Sequence, residues 1–220
     1  LPASALFKLA TIMREITRGR ALFFVNDRVD IALASNADGI QLGEEALPLR
    51  VARQLVGEDM LLGRSVHSVE GAVVAESEGA DLLVVGTTFH TPSHVDASPA
   101  GPELLRQVAR TVRVPLIGIG GISIRNISQV VQAGASGAAV IRAIWGASDP
   151  EDAASQLRRA LHAAWGAVNE SGEGHHTMIK LTINGKAVEL PEPVTALQFF
   201  QLKLYPLTVP NHLFFQGFDI

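Results

Sequence analysis

His67 sits where an apolar run, Asp59 to Gly63, gives way to a helix-like stretch beginning at Val69. If the run is a buried strand and the stretch its following helix, His67 lies at a strand's carboxyl end, where α/β proteins build their sites. An imidazole there can accept and return a proton at working pH. It could equally pack beside Ser68, which reads as a helix N-cap. The choice depends on what else gathers at the same end. Asn26 and Asp27 close the run Ala21 to Val25 and offer an amide and a carboxylate, though either could cap the short helix that follows. Gly118, Gly120 and Gly121 lie before Ser123, where a helix is expected, and can present bare backbone N–H groups to a dianion. Thr91 and Ser93 sit in a proline-bearing loop, and Arg142 follows Ile141 at the end of another apolar run.

Those residues need elements to hold them. Short apolar runs recur at 21–25, 38–42, 60–65, 82–86, 115–119 and 137–141, and helical patterns with apolar residues three and four apart fall between them. Asp149 before Pro150 marks a helix start, and Gly79 and Gly134 mark helix ends. A Gly-Ala pair, one polar residue and a strand occur twice, at Gly79 and at Gly134. Strand and helix in alternation predict parallel βαβ units, and near-continuous apolar strands predict a sheet covered on both faces. Every polar cluster then falls at one end: Asn26 with Asp27, Gln41 with Glu44 and Glu45, Ser65 with His67, the loop around Thr91, the glycine turn, and Arg142. In a (β/α)₈ barrel that end carries the active site, and glycine-rich loops after the late strands bind phosphate.

Composition narrows the partners. The chain has 220 residues, 47% of them hydrophobic, with 18 Lys and Arg against 22 Asp and Glu and a net charge of −4. No basic block favours nucleic acid or an anionic membrane. The absence of Cys excludes disulfides, thiolate nucleophiles and Cys-ligated metals. No signal peptide or membrane-length apolar run is visible, so a cytoplasmic location is the default expectation.

Six segments in order resemble the thiamine-phosphate synthase and TenI superfamily over residues 5–165: the Asn26-Asp27-Arg28 segment, the strand and loop from Ala37 to Glu45, the Ser65-x-His67 segment, the Thr91-Pro92 loop, the glycine turn at Gly118 to Gly121, and the stretch from Ala133 to Ile144. The resemblance implies a TIM barrel whose first two strands, including one with a diphosphate motif, are not in this chain, so that the strands at Ala21 and Gly137 would lack neighbours. It also implies ligand contacts from Asn26, Ser65, Thr91, Ser93, Gly120, Gly121, Ile141 and Arg142, the last standing where the family usually has Ser. The expected ligand is a thiazole phosphate; homo-oligomerisation is left open.

Two activities share that resemblance. The synthase joins a pyrimidine diphosphate to thiazole phosphate with Mg²⁺ held by two aspartates. Asp27 matches the first, Ala46 replaces the second, and His94 stands near the place of a loop Lys. The TenI-like tautomerase isomerises a thiazole carboxylate phosphate by proton transfer, needs no cofactor, and would use His67. The missing ligand and cation favour the tautomerase, with the synthase as alternative and a noncatalytic thiazole or thiamine phosphate binder as a third expectation.

After residue 166 the character changes. Residues 167–177 read as a linker, and 178–220 begin with an alternating pattern around Asn184-Gly185, a strong hairpin signal. That segment resembles the start of a ThiS-type sulfur carrier of β-grasp fold up to about Phe200, without the terminal Gly-Gly. It implies thiazole synthase as a partner.

Overall fold

The computed structural model describes residues 1–91, 99–171, 179–183, 186–190 and 200–201. Six parallel strands alternate with helices in the order α1 (Ala3–Thr17), β1 (Phe23–Asn26), α2 (Val29–Ala34), β2 (Gly39–Leu42), α3 (Leu49–Val56), β3 (Leu61–Val66), α4 (Val69–Ser77), β4 (Leu82–Val85), α5 (Gly101–Thr111), β5 (Leu116–Ile119), α6 (Ile127–Gln132), β6 (Gly137–Ala139), α7 (Arg142–Trp145) and α8 (Pro150–Ser171). Each strand pairs in parallel with its sequence neighbour, giving the curled half of a barrel. The edge of β1, expected to be open, is instead paired in parallel by a two-residue strand, β9 (Phe200–Gln201), whereas β6 ends the sheet among the described residues. No helix among them is long and apolar enough to cross a membrane.

The sheet separates two apolar clusters. The larger lies between its outer face and the helices and includes Phe23, Ile40, Leu62, Leu83, Leu105 and Val130. The smaller lines the concave inner face with Phe24, Leu61, Leu82, Val84 and Ile117. Alternation along each strand makes this division, because successive side chains point to opposite faces. Inner-face glycines give the larger neighbours room: a Cβ on Gly39 would stand 2.3 Å from the Phe24 ring, and one on Gly63 would stand 2.1 Å from Gln41 Oε1.

At the amino end of the sheet one device recurs. A residue of positive φ ends a helix (Asn36, Gly79, Gly134), a buried Ala follows, and then a polar residue precedes the strand. The amides of Phe23, Leu62 and Leu116 donate to the side chains of Asp38 (2.7 Å), Asp81 (2.7 Å) and Ser136 (3.4 Å). Each of these three residues returns its own N–H to the carbonyl of the residue it receives from. Arg14 of α1 and Arg53 of α3 each close on their aspartate at 2.6 Å. The Gly-Ala repeat visible in the sequence is thus a threefold register lock, with Asn36-Ala37-Asp38 as its third, less obvious copy.

Element ends differ from expectation for definable reasons. Pro115 lacks an N–H, so β5 starts one residue after it. Val140 leaves the sheet, and Ile141 becomes the residue before α7, which the sequence reading did not separate. α8 runs to Ser171, past the expected linker start, because Leu157, Leu161, Trp165 and Val168 keep one apolar stripe going. At the chain's far end β7 (Ile179–Ile183) and β8 (Lys186–Leu190) pair antiparallel around Asn184-Gly185, as the hairpin signal predicts. The remaining β-grasp features proposed for 178–220 fall outside the described residues.

Arg14 and Asp38 are 11% and 14% exposed. Removing one member of such a pair strands the other charge. Asp38→Ala should therefore lower the unfolding free energy by about 3 kcal/mol in urea melts. A loss below about 1 kcal/mol, the range of exposed pairs, would show that the bracket does not hold the sheet.

Candidate functional site

The carboxyl ends of the strands enclose a cavity of about 220 Å³. Ser65, His67, Thr91, Gly120, Gly121, Ile141 and Arg142, all expected from the sequence, line it together with Gly43, Glu44, Gly86 and Thr87. Asn26, the last residue of β1, and Asp27, which follows it, are at the same end but not in the lining. Ser93 and His94 lie outside the described residues.

Beside the cavity, the inner face of the sheet carries a row of amides and a hydroxyl, of which Ser65 lines the cavity itself. Asn26 and Gln41 are register partners on β1 and β2, and Gln41 faces Gly63 on β3. Because Gly63 has no side chain, the Gln41 carboxamide crosses β3 and its Nε2 donates to Ser65 Oγ at 3.0 Å. Gln41 is only 4% exposed. The buried Asn26 Oδ1 accepts no hydrogen bond among the described residues. A buried polar atom without a partner costs free energy, so such an atom at the carboxyl end of a strand is a candidate ligand acceptor. Gln41 was recognised only as part of a strand-end cluster; the signal that singles it out is an amide within an otherwise fully buried strand, Gly39–Leu42.

His67 follows β3 directly and precedes Ser68, whose Oγ caps α4 by accepting the Gly71 N–H at 3.0 Å, as expected. Its Nδ1 lies 2.9 Å from Glu44 Oε1, and both side chains are 56% exposed. Sequence reading placed Glu44 at the right end without naming it as this partner, since the two belong to different βα units. The loop bearing Glu44 is braced from β3: Arg64 Nη2 donates to the Glu44 carbonyl at 2.9 Å and Nη1 to that of Leu47 at 3.4 Å.

Asp27 has φ +55°, a costly conformation for a non-glycine residue. It is held there from both sides: its N–H donates to the Gln41 carbonyl, and its Oδ1 accepts the Gly43 N–H at 2.8 Å. Oδ2 takes no hydrogen bond among the described residues. Arg28 turns away to Asp30, whose carboxyl it holds below its ordinary range chiefly through their side-chain hydrogen bonds. The side chain at Ala46 packs against the outer core, so this position supplies no second carboxylate. Among the described residues, no three His, Asp or Glu side chains converge as a metal site. Of the two aspartates expected to hold Mg²⁺, only Asp27 is present among the described residues, so the side chains there would fit such an ion only if substrate phosphate oxygens completed its shell, a common arrangement for this metal.

The glycine turn departs from expectation in one respect. The helix after it starts at Ile127, not near Ser123, because Asn126 Oδ1 accepts the Ser123 N–H at 2.8 Å and its Nδ2 donates to the Gly121 carbonyl at 3.0 Å. The stretch expected to meet an anion is thus a braced loop and not a helix start. Gly120 and Gly121 have φ +102° and +61°. Cβ atoms there would stand 2.7 Å from Thr87 Cγ2 and 2.5 Å from the His90 carbonyl, so only glycine fits. The N–H groups of Gly121 and Ile122 donate to no protein acceptor among the described residues, which leaves them for an anionic oxygen. Arg142, exposed on the same cavity, adds a cation with no ion-pair partner among those residues.

Comparison with known proteins fits this arrangement. The family model described as thiamine monophosphate synthase matches residues 1–144. Thiamine-phosphate synthase of Moorella thermoacetica is 48% identical over 168 residues, 76% of this chain and 80% of that protein. The Pyrococcus furiosus protein of the same name is 41% identical over 166 residues, 75% and 80% of the two chains. The solved thiamine phosphate pyrophosphorylase from Pyrococcus furiosus superposes with a TM-score of 0.70 at 41% identity, covering 74% of this chain and 79% of that one. A 3-hexulose-6-phosphate synthase, at 22% identity and TM-score 0.58, shares the fold alone. These names back the synthase alternative better than the tautomerase that the sequence reading preferred, and the family match, ending at residue 144, gives no support to a ThiS-like segment. With its fold and its sequence both matched, the chain belongs to the thiamine monophosphate synthase family of enzymes.

Proposed function

We propose that this protein binds a thiazole phosphate in the cavity at the carboxyl end of the sheet and joins it to a pyrimidine diphosphate. The observation that carries the reading is the extent of the similarity: relatives named thiamine-phosphate synthase are 41–48% identical over three quarters of the chain, and the family match over residues 1–144 spans every residue that lines the cavity. The site's chemistry is compatible. The free amides of the glycine turn, with Arg142, suit the phosphate of the acceptor. Asn26, Gln41 and Ser65 offer the acceptors and donors that orient a heteroaromatic ring. Asp27 would hold Mg²⁺, which when bound supplies positive charge to the departing diphosphate. The protein's own part is to orient the two reactants and keep water from the inner face.

A second reading, the isomerisation of a thiazole carboxylate phosphate, rests on a different observation: the imidazole of His67 lines the same cavity as the glycine turn, 2.9 Å from Glu44, while Ala46 withholds a second metal ligand. In that reading His67 takes a proton from one ring position and returns it to another, with no metal. The two readings use the same phosphate pocket and differ in which residue turnover requires. A site that holds the phosphate without turnover is the third outcome.

With Mg²⁺ and both substrates supplied, product formation should vanish on chelation and fall about 10²-fold in Asp27→Ala. Metal-independent coupling, or an unaffected variant, would remove Asp27 from the mechanism. With the thiazole carboxylate phosphate alone, isomerisation followed by NMR should fall roughly 10²- to 10⁴-fold in His67→Gln at nearly unchanged ligand affinity if the second reading holds. An equally active variant would return His67 to packing.

A further inference from the structure

We infer that Glu44 and Arg64 form a positioning device that fixes which nitrogen of His67 faces the ligand. Two ring nitrogens are available to a neutral imidazole, and only the one without hydrogen can accept a proton from a substrate. Which one that is depends on the partner of the other. Here the carboxylate of Glu44 is 2.9 Å from Nδ1, so it favours hydrogen on Nδ1 and leaves the lone pair on Nε2 of a residue that lines the cavity. Left to itself, an exposed side chain such as Glu44 would sample many rotamers, and an exposed pair contributes little order. Its backbone does not drift, however. Arg64 reaches from β3, three residues before His67, and donates to the carbonyls of Glu44 and Leu47, at opposite ends of the loop. The Gly43 N–H is simultaneously tied to Asp27 Oδ1.

Base and orienting carboxylate are thus referenced to the same strand. His67 follows β3 directly, and the loop bearing Glu44 is clamped to β3 through Arg64. Neither residue touches the reacting atoms in this account; both act through His67. The inference rests on the second reading, His67 as a proton carrier, only for its consequence in turnover. The ring's tautomer is a property of the protein itself.

The test separates those two levels. In the ¹⁵N-labelled intact protein, at a pH where His67 is neutral, long-range proton–nitrogen correlation should show His67 with hydrogen on Nδ1. In Glu44→Ala it should revert to the Nε2–H form that free imidazole side chains prefer. Arg64→Met, which keeps a stem of similar bulk, should give a mixture of the two, and Glu44→Gln, which retains an acceptor oxygen, should restore the wild-type form. Hydrogen on Nε2 in the wild type, or no change in Glu44→Ala, would overturn the proposal. Isomerisation kinetics form the second arm: Glu44→Ala should lower kcat roughly 10- to 100-fold with KM little changed. A correct tautomer shift with unaltered kcat would leave the positioning device standing and remove His67 from the chemistry. A Glu44→Gln variant that failed to restore the wild-type tautomer would also overturn the device, because the acceptor oxygen would then not be what orients the ring.

Discussion

The constraint on which the rest of this structure depends is the burial of a parallel sheet on both faces. A strand covered by helices outside and by aliphatic side chains inside can carry polar groups only near its ends. The amino ends are consumed by structure. Asp38, Asp81 and Ser136 take the amides of neighbouring strands, and Arg14 and Arg53 neutralise the two carboxylates. A slip of one residue would turn Gln41 and Ser65 toward the helices and their apolar neighbours inward, so the lock at one end determines which side chains reach the other.

At the carboxyl ends the same backbone logic is reversed. Polar atoms there are left open: Asn26 Oδ1 has no partner among the described residues, and the N–H groups of Gly121 and Ile122, which line the cavity, donate to no protein acceptor among them. Glycines do much of the shaping. Gly63 lets Gln41 lie across its strand to reach Ser65, while Gly120 and Gly121 let one loop pass against the backbone of another. The cavity is thus bounded by close approaches that a single Cβ would block, and its Ser65 is oriented by Gln41 before a ligand arrives.

Much of this was legible in the sequence, and the reasons differ by element. The strands announced themselves because they are fully buried and therefore continuously apolar, and the Ser68 cap is a local signal read locally. The end at which the polar clusters gather follows from alternation alone. The glycine turn was recognised, yet its helix was placed too early, because a Ser after two glycines mimics an N-cap and nothing local reveals that Asn126 claims the Ser123 amide. The Glu44 and His67 pair could not be read at all: its members meet only because β2 and β3 are adjacent and Arg64 holds the intervening loop. The choice between synthase and tautomerase turned on Ala46 and His67 in the sequence. The similarity of the whole cavity-building region shifts that weight toward the synthase.

The central claim is that the carboxyl end of this half-barrel is a phosphate site built from backbone amides. Calorimetric titration of the intact protein with a thiazole phosphate and with the corresponding unphosphorylated thiazole alcohol tests it most directly. Two or more charge-assisted hydrogen bonds should make the phosphate bind roughly 10- to 100-fold more tightly, with the advantage shrinking as salt rises. Equal affinity for the two compounds at low salt would contradict the account.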